Sequence, residues 1–140
     1  MLNNEINRFL EQALDKAGAS TELSNLIGSY SLCARSEGIS ENTILLMGRA
    51  LRYFGDFLLR SGLPTNVESI SVSEVRSFIL HLKEAQRFEH HPLIKNHDRK
   101  LTGHTVNCYL RSISAFWSWL SKEGFINSNP FARVKIPRLP

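Results

Sequence analysis

Residues 102–122 read TGHTVNCYLRSISAFWSWLSK, and their spacing decides the fold class. Val106, Tyr109, Leu110, Ile113, Phe116, Trp117 and Leu120 recur at helical intervals. At 100° per residue all seven fall within about 60° of one line, which predicts an amphipathic helix with a broad apolar face. Thr102 stands where a cap belongs, and Gly124 supplies the stop. A face this rich in large rings needs other elements to cover it.

The rest of the chain offers those elements as helices. Ile6, Phe9, Leu10, Ala13 and Leu14 predict an amphipathic arm helix over residues 3–17, ending near Gly18. From Thr21 the stripe Leu23, Leu26, Ile27 and Tyr30 predicts a second helix that stops at Gly38. A third opens at Ser40 and runs through Met47, Leu51, Phe54 and Leu58 until Gly62 and Pro64. Ser71 and Glu74 form a capping box, each side chain serving a free backbone N–H, ahead of Val75, Phe78, Ile79 and Leu82. Residues 67–75 also alternate loosely like a strand, but the box and the following period favour a helix. Residues 88–101 carry no period and read as a basic loop. Asn129 and Pro130 cap and open a short final turn, followed by the basic, proline-bounded tail KIPRLP at 135–140. The expected architecture is all-α, a bundle of four to five helices with an extra N-terminal arm helix. Its divisions are an acidic arm at 1–20, a helical domain at 21–133 and a basic linker at 134–140.

Composition is compatible with that core. At 140 residues, with 42% apolar and 21% charged, the chain has ordinary soluble globular make-up. Folding at this length buries about 68–70% of the unfolded surface. The longest apolar run, residues 44–47, is far short of the ~20 needed to span a membrane, and no membrane partner is expected. The polar start lacks the basic-then-apolar order of a secretory signal. Cys33 and Cys108 have no metal-ligand spacing and read as free thiols in a reducing, cytoplasmic setting. The net charge of +4 is uneven: residues 1–41 hold three basic and six acidic residues, while 42–140 hold 14 basic and seven acidic. A segment at +7 favours a polyanion such as nucleic acid.

Two helices open alike, one with Ser40-Glu41-Asn42-Thr43 and the other with Thr102-Gly103-His104-Thr105. Each places a hydroxyl at the cap and another three residues later. The simple reading is N-capping. The sharper one is a phosphate seat, because a helix start presents free N–H groups and the positive end of the dipole. Outward of the first helix's core line lie Asn42, Leu45, Arg49 and Arg52; outward of the second lie His104, Cys108, Arg111, Ala115 and Lys122. Both faces lack acidic residues until Asp56 and Glu123.

Catalytic motifs are missing. No Gly-rich phosphate loop, HExxH, GxSxG or carboxylate pair stands out, so no catalytic residue, metal site or cofactor is assigned. His90, His91 and His97 share the loop and read as solvated or phosphate-facing. Phe116 and Trp117 read as core, while Trp119, further round, is assigned to a contact with the arm or a partner domain.

The order of these pieces over residues 23–140 resembles the amino-terminal core-binding domain of the tyrosine recombinases, the phage-integrase family. The resemblance rests on Gly38-Ile39-Ser40-Glu41-Asn42-Thr43, Leu51 and Phe54, then Thr105-Val106-Asn107, Leu110 and Phe116-Trp117-Ser118-Trp119-Leu120. It closes with Gly124-Phe125-Ile126, Asn129-Pro130 and Lys135-Ile136-Pro137-Arg138. It implies an orthogonal, SAM-like bundle with two helices facing the major groove of double-stranded DNA, and other recombinase protomers as partners of the full-length protein. Relatives add a carboxy-terminal domain whose tyrosine attacks a DNA phosphate. This chain has no HxxR box, and Tyr30, Tyr53 and Tyr109 fall on helix stripes, so it is expected to be a non-catalytic fragment of a longer recombinase. The family often has tyrosine where Met47 stands and basic residues where Cys108 and Ser114 stand, which lowers the charge of the second DNA helix here.

By this reading Thr43 and Thr105 seat phosphates, and Arg49 and Arg111 reach into or across the groove. Asn42, His104 and Asn107 add polar contacts, while Lys135 and Arg138 track the backbone. The alternatives are a helical protein–protein interaction module, with the acidic arm as its interface, and a self-contained helix-turn-helix regulator. The latter needs two short helices about a tight turn, which the long helix at 102–122 does not offer.

Overall fold

The computed structural model describes residues 21–89 and 102–137. Four helices and two 3₁₀ turns follow in order: α1 (Leu23–Ser36), α2 (Glu41–Arg60), a turn at Val67–Ser69, α3 (Val72–Glu89), α4 (Gly103–Lys122) and a turn at Pro130–Arg133. Among the described residues there is no strand, only an isolated antiparallel bridge between Glu22 and Asn66. The all-α bundle expected from periodicity is present. The expected arm at 1–20 and Arg138 lie outside the described residues. Residues 88–89 of the expected loop are instead the last of α3, and 90–101 also lie outside the described residues.

The helix ends follow from local chemistry. The Thr43 N–H donates to Ser40 Oγ at 3.3 Å, the Thr105 N–H to Thr102 Oγ1 at 3.1 Å, and the Phe131 N–H to Asn129 Oδ1 at 2.9 Å. At the far end of α4, Phe125 N donates to the Leu120 carbonyl at 2.9 Å and Gly124 N to that of Ser121 at 3.2 Å. This paired closure needs a left-handed residue after the cap, which Gly124 supplies at φ 83°. Gly38 closes α1 in the same way at φ 82°. Ahead of α3, the Ser71 N–H donates to Glu74 Oε2 at 2.9 Å, and the Ser71 hydroxyl is turned onto the same carboxylate. The carboxylate half of the expected box is thus in place, and the Ser71 bonds hold the Glu74 carboxyl below its ordinary range.

Rings from every helix meet in the core. Trp117 of α4 and Phe54 of α2 are fully buried, their centroids 5.4 Å apart and perpendicular. Phe78 of α3 packs edge-on against Phe54 at 4.6 Å, and Phe131 of the last turn lies 5.4 Å from Trp117. Edge-to-face pairs of this kind add to the burial energy because ring edges and faces carry opposite partial charge. α1 joins through Leu23, Leu26 and Tyr30, whose ring sits 5.2 Å from Phe116.

Trp119 packs on Tyr30 at 5.1 Å and Phe125 at 5.6 Å, because α1 covers the flank of α4 turned away from Trp117. The arm expected to meet this ring lies outside the described residues.

Candidate nucleic-acid interface

α2 and α4 lie against one another, with Tyr53 and Tyr109 ring centroids 5.5 Å apart. Their core lines take Leu51, Phe54 and Leu58 from one and Val106, Leu110, Ile113 and Trp117 from the other. What remains outward is the pair of stripes expected from the helical period. On α2, Asn42, Leu45, Arg49 and Arg52 are all exposed. On α4, His104, Arg111, Ala115 and Lys122 are exposed, and Cys108 is half-buried.

The two helix starts match in geometry as well as in sequence. Ser40 Oγ lies 2.9 Å from Thr43 Oγ1, and Thr102 Oγ1 lies 3.0 Å from Thr105 Oγ1. In each, the cap oxygen serves one of the four N–H groups that a helix leaves unpaired at its start. The second hydroxyl is held beside it by the cap oxygen. Thr43 is exposed and Thr105 half-buried. His104 Nε2 approaches Cys108 Sγ at 3.6 Å, one turn along the same stripe.

The remaining site residues divide. Lys135 is exposed beyond the last turn, and Arg138 lies outside the described residues. Asn107 is half-buried and already engaged within the fold, which sets it apart from the exposed stripe.

Two features escaped sequence reasoning. Glu41 stands in the first turn of α2, whereas the first turn of α4 has no acid. Its carboxylate is held by Arg35 from the last turn of α1, with Nε donating to Oε1 at 2.9 Å and Nη2 to Oε2 at 3.4 Å. That bond and the charge beside it hold the Glu41 carboxyl below its ordinary range and raise the Arg35 guanidinium. The acid at this start is therefore charge-paired. The second feature is Gly48, where a Cβ would lie only 3.3 Å from Arg52 Nη1. The guanidinium folds back over the glycine, one turn along the stripe.

Among the described residues no three His, Cys, Asp or Glu side chains gather as a metal ion would require. His90, His91 and His97 lie outside the described residues. Burial, followed by the nearby Cys33 and Glu37, raises the Tyr30 phenol above its ordinary range. Among the described residues no helix is long and apolar enough to cross a membrane.

A helical bundle with two capped, basic-striped helices is the setting in which sequence similarity becomes informative. The chain is similar to a tyrosine recombinase. The relative is tyrosine recombinase XerC of Oceanobacillus iheyensis, 24% identical over 99 residues, which is 71% of this chain and 28% of that protein. The chain thus corresponds to little more than a quarter of the relative's length. No family model matches the chain, and no solved structure does.

Proposed function

We propose that this chain is the DNA-binding, core-binding part of a site-specific tyrosine recombinase, gripping duplex DNA with α2 and α4. The observation that carries the reading is the repeated helix start: the same hydroxyl pair at 2.9 and 3.0 Å, each opening a helix with an exposed arginine stripe. The helix dipole and first-turn N–H groups favour a phosphate at each start. In this reading Thr43 and Thr105 contact phosphates, with Asn42 and His104 beside them. Arg49 and Arg111 reach the groove or the backbone, and Lys135 and Arg138 follow the strand as the chain leaves the bundle. Asn107, half-buried on the same helix, adds a further polar contact. The binding unit is residues 21–133, preceded by the arm at 1–20 and followed by the linker at 134–140. The similarity to part of a recombinase supports a longer parent protein whose other domain breaks and rejoins DNA through a tyrosine and which assembles with further protomers on DNA.

The test is fluorescence anisotropy of a labelled duplex titrated with the chain across a salt series. With about four to six phosphate contacts, log K should fall against log salt with a slope of about −4 to −5. Affinity near physiological salt should lie around 10⁻⁴–10⁻⁶ M, since the fragment supplies half of a clamp. Arg49→Ala combined with Arg111→Ala should remove most binding while leaving the circular dichroism unchanged. A double variant that binds like the parent chain sinks the two-helix face. The chain alone should not relax supercoiled plasmid.

A further inference from the structure

We infer that α2 reads a thymine in the major groove through Leu45, which makes this leucine a specificity-determining residue. The inference rests on the DNA-binding reading above and deepens it. Leu45 is 56% exposed. A single exposed leucine is ordinary on a protein surface and calls for no explanation by itself. Its position does. Asn42 precedes it by three residues and Arg49 follows by four, so all three share one helical face, with Arg52 continuing it. Leu46, the next exposed leucine, is turned about 100° from Leu45 and borders that face about 40° beyond Asn42, outside the arc from Asn42 to Arg52.

DNA drawn onto Asn42, Arg49 and Arg52 must cover the leucine between them. A base edge that presents donors or acceptors to an isobutyl group loses its water and gains no hydrogen bond, which is unfavourable. Among the four bases only thymine offers an apolar group in the major groove, its 5-methyl. Leu45 is therefore matched to thymine and opposed to bases presenting polar edges. The corresponding stripe of α4 holds His104, Cys108 and Arg111, with no exposed branched aliphatic side chain among them. The division of labour follows: the apolar reading element belongs to α2.

The experiment selects preferred duplexes from a random library with the full 140-residue chain at low salt. Each enriched thymine is then replaced singly by deoxyuridine, which removes the methyl alone. One position should lose about fourfold in affinity, the value of one buried methyl. Leu45→Ala should be indifferent to that replacement and should lose the preference for thymine there, with an unchanged melting temperature. A selection without an enriched thymine overturns the inference, as does a methyl dependence that persists in Leu45→Ala or a parent chain indifferent to every deoxyuridine. Failure of the chain to bind any duplex overturns the DNA-binding reading itself, and this inference with it. Those two failures are separated by the first titration.

Discussion

The Arg35 guanidinium grips the Glu41 carboxylate at 2.9 Å across the turn that joins α1 to α2. Both side chains are largely exposed, so the pair adds little to stability. Its consequence is electrostatic. Glu41 stands one residue before Asn42 and two before Thr43, where an unpaired carboxylate would repel an approaching phosphate. Arg35→Ala should weaken duplex binding about two- to threefold at low salt, an effect that fades as salt rises. Glu41→Gln should strengthen it by a similar factor. Anisotropy titrations of both variants check this, and identical affinities would mean that no phosphate comes near the start of α2.

Trp117 is the largest fully buried side chain, touching Phe54, Phe116 and Phe131. Trp117→Ala should destabilise by about 3–5 kcal/mol, because rigid rings on several elements cannot collapse into the space left. Urea unfolding measures the loss. A value below about 1 kcal/mol would contradict the burial of this ring.

Gly48 sits inside α2, where glycine costs roughly 0.8–1.0 kcal/mol against alanine. A methyl there would press on Arg52 Nη1 and Nη2, 3.3 and 3.5 Å from the Cβ position. Those atoms are the tip of a flexible side chain and can swing away. Gly48→Ala should therefore raise stability by up to about 1 kcal/mol. If the folded-back guanidinium holds a phosphate, the same change lowers the salt slope by about one. The melting temperature and affinity then move in opposite directions. A variant that gains stability and keeps its full salt slope would show that the placement of Arg52 is not used.

The helical order was legible because each helix carries its own period and its own cap. Ser40, Thr102 and Asn129 cap as their sequence context predicts. The stripes Asn42–Arg52 and His104–Lys122 were legible for the same reason, since 100° per residue fixes which side chains share a face. What escaped was contact between separate elements. Nothing in the period of α4 says that Tyr30 of α1 will cover Trp119, or that Arg35 will reach Glu41 round Gly38. Asn107, assigned a polar DNA contact from the sequence, is half-buried and already has an interaction within the chain.

His81 gives the fold a pH dependence of defined sign. Partial desolvation beside Phe57, whose ring lies 4.9 Å from this largely exposed imidazole, lowers its basicity, and the Arg60 charge lowers it further while Glu84 opposes. The folded chain thus resists protonating this ring more than the unfolded chain does. Stability is fully present above the ordinary histidine value of about 6.5 and declines as pH falls through it toward the depressed folded value. His81→Gln should flatten that decline in thermal melts between about pH 5 and 7. An equally steep decline in the variant would assign it to other groups.

The two threonines that open α4 carry separable roles. Thr102 Oγ1 accepts the Thr105 N–H at 3.1 Å, so it fixes the start of the helix. Thr105 Oγ1 lies 3.0 Å from the same oxygen but makes no part of that backbone bond. Thr102→Val removes the acceptor and should cost about 0.5–2 kcal/mol, the usual loss of an N-cap. Thr105→Val keeps the branched shape and leaves the N–H donating to Thr102, so the melting temperature should hold. It deletes only the hydroxyl aligned with the dipole, and duplex affinity should fall about three- to tenfold, the net value of one ordinary hydrogen bond. Ser40→Ala and Thr43→Val should divide in the same way on α2, since Ser40 Oγ accepts the Thr43 N–H. Thermal melts read beside anisotropy separate the two roles. If Thr105→Val lowers the melting temperature as much as Thr102→Val and leaves affinity untouched, both hydroxyls are structural, and the start of α4 seats no phosphate.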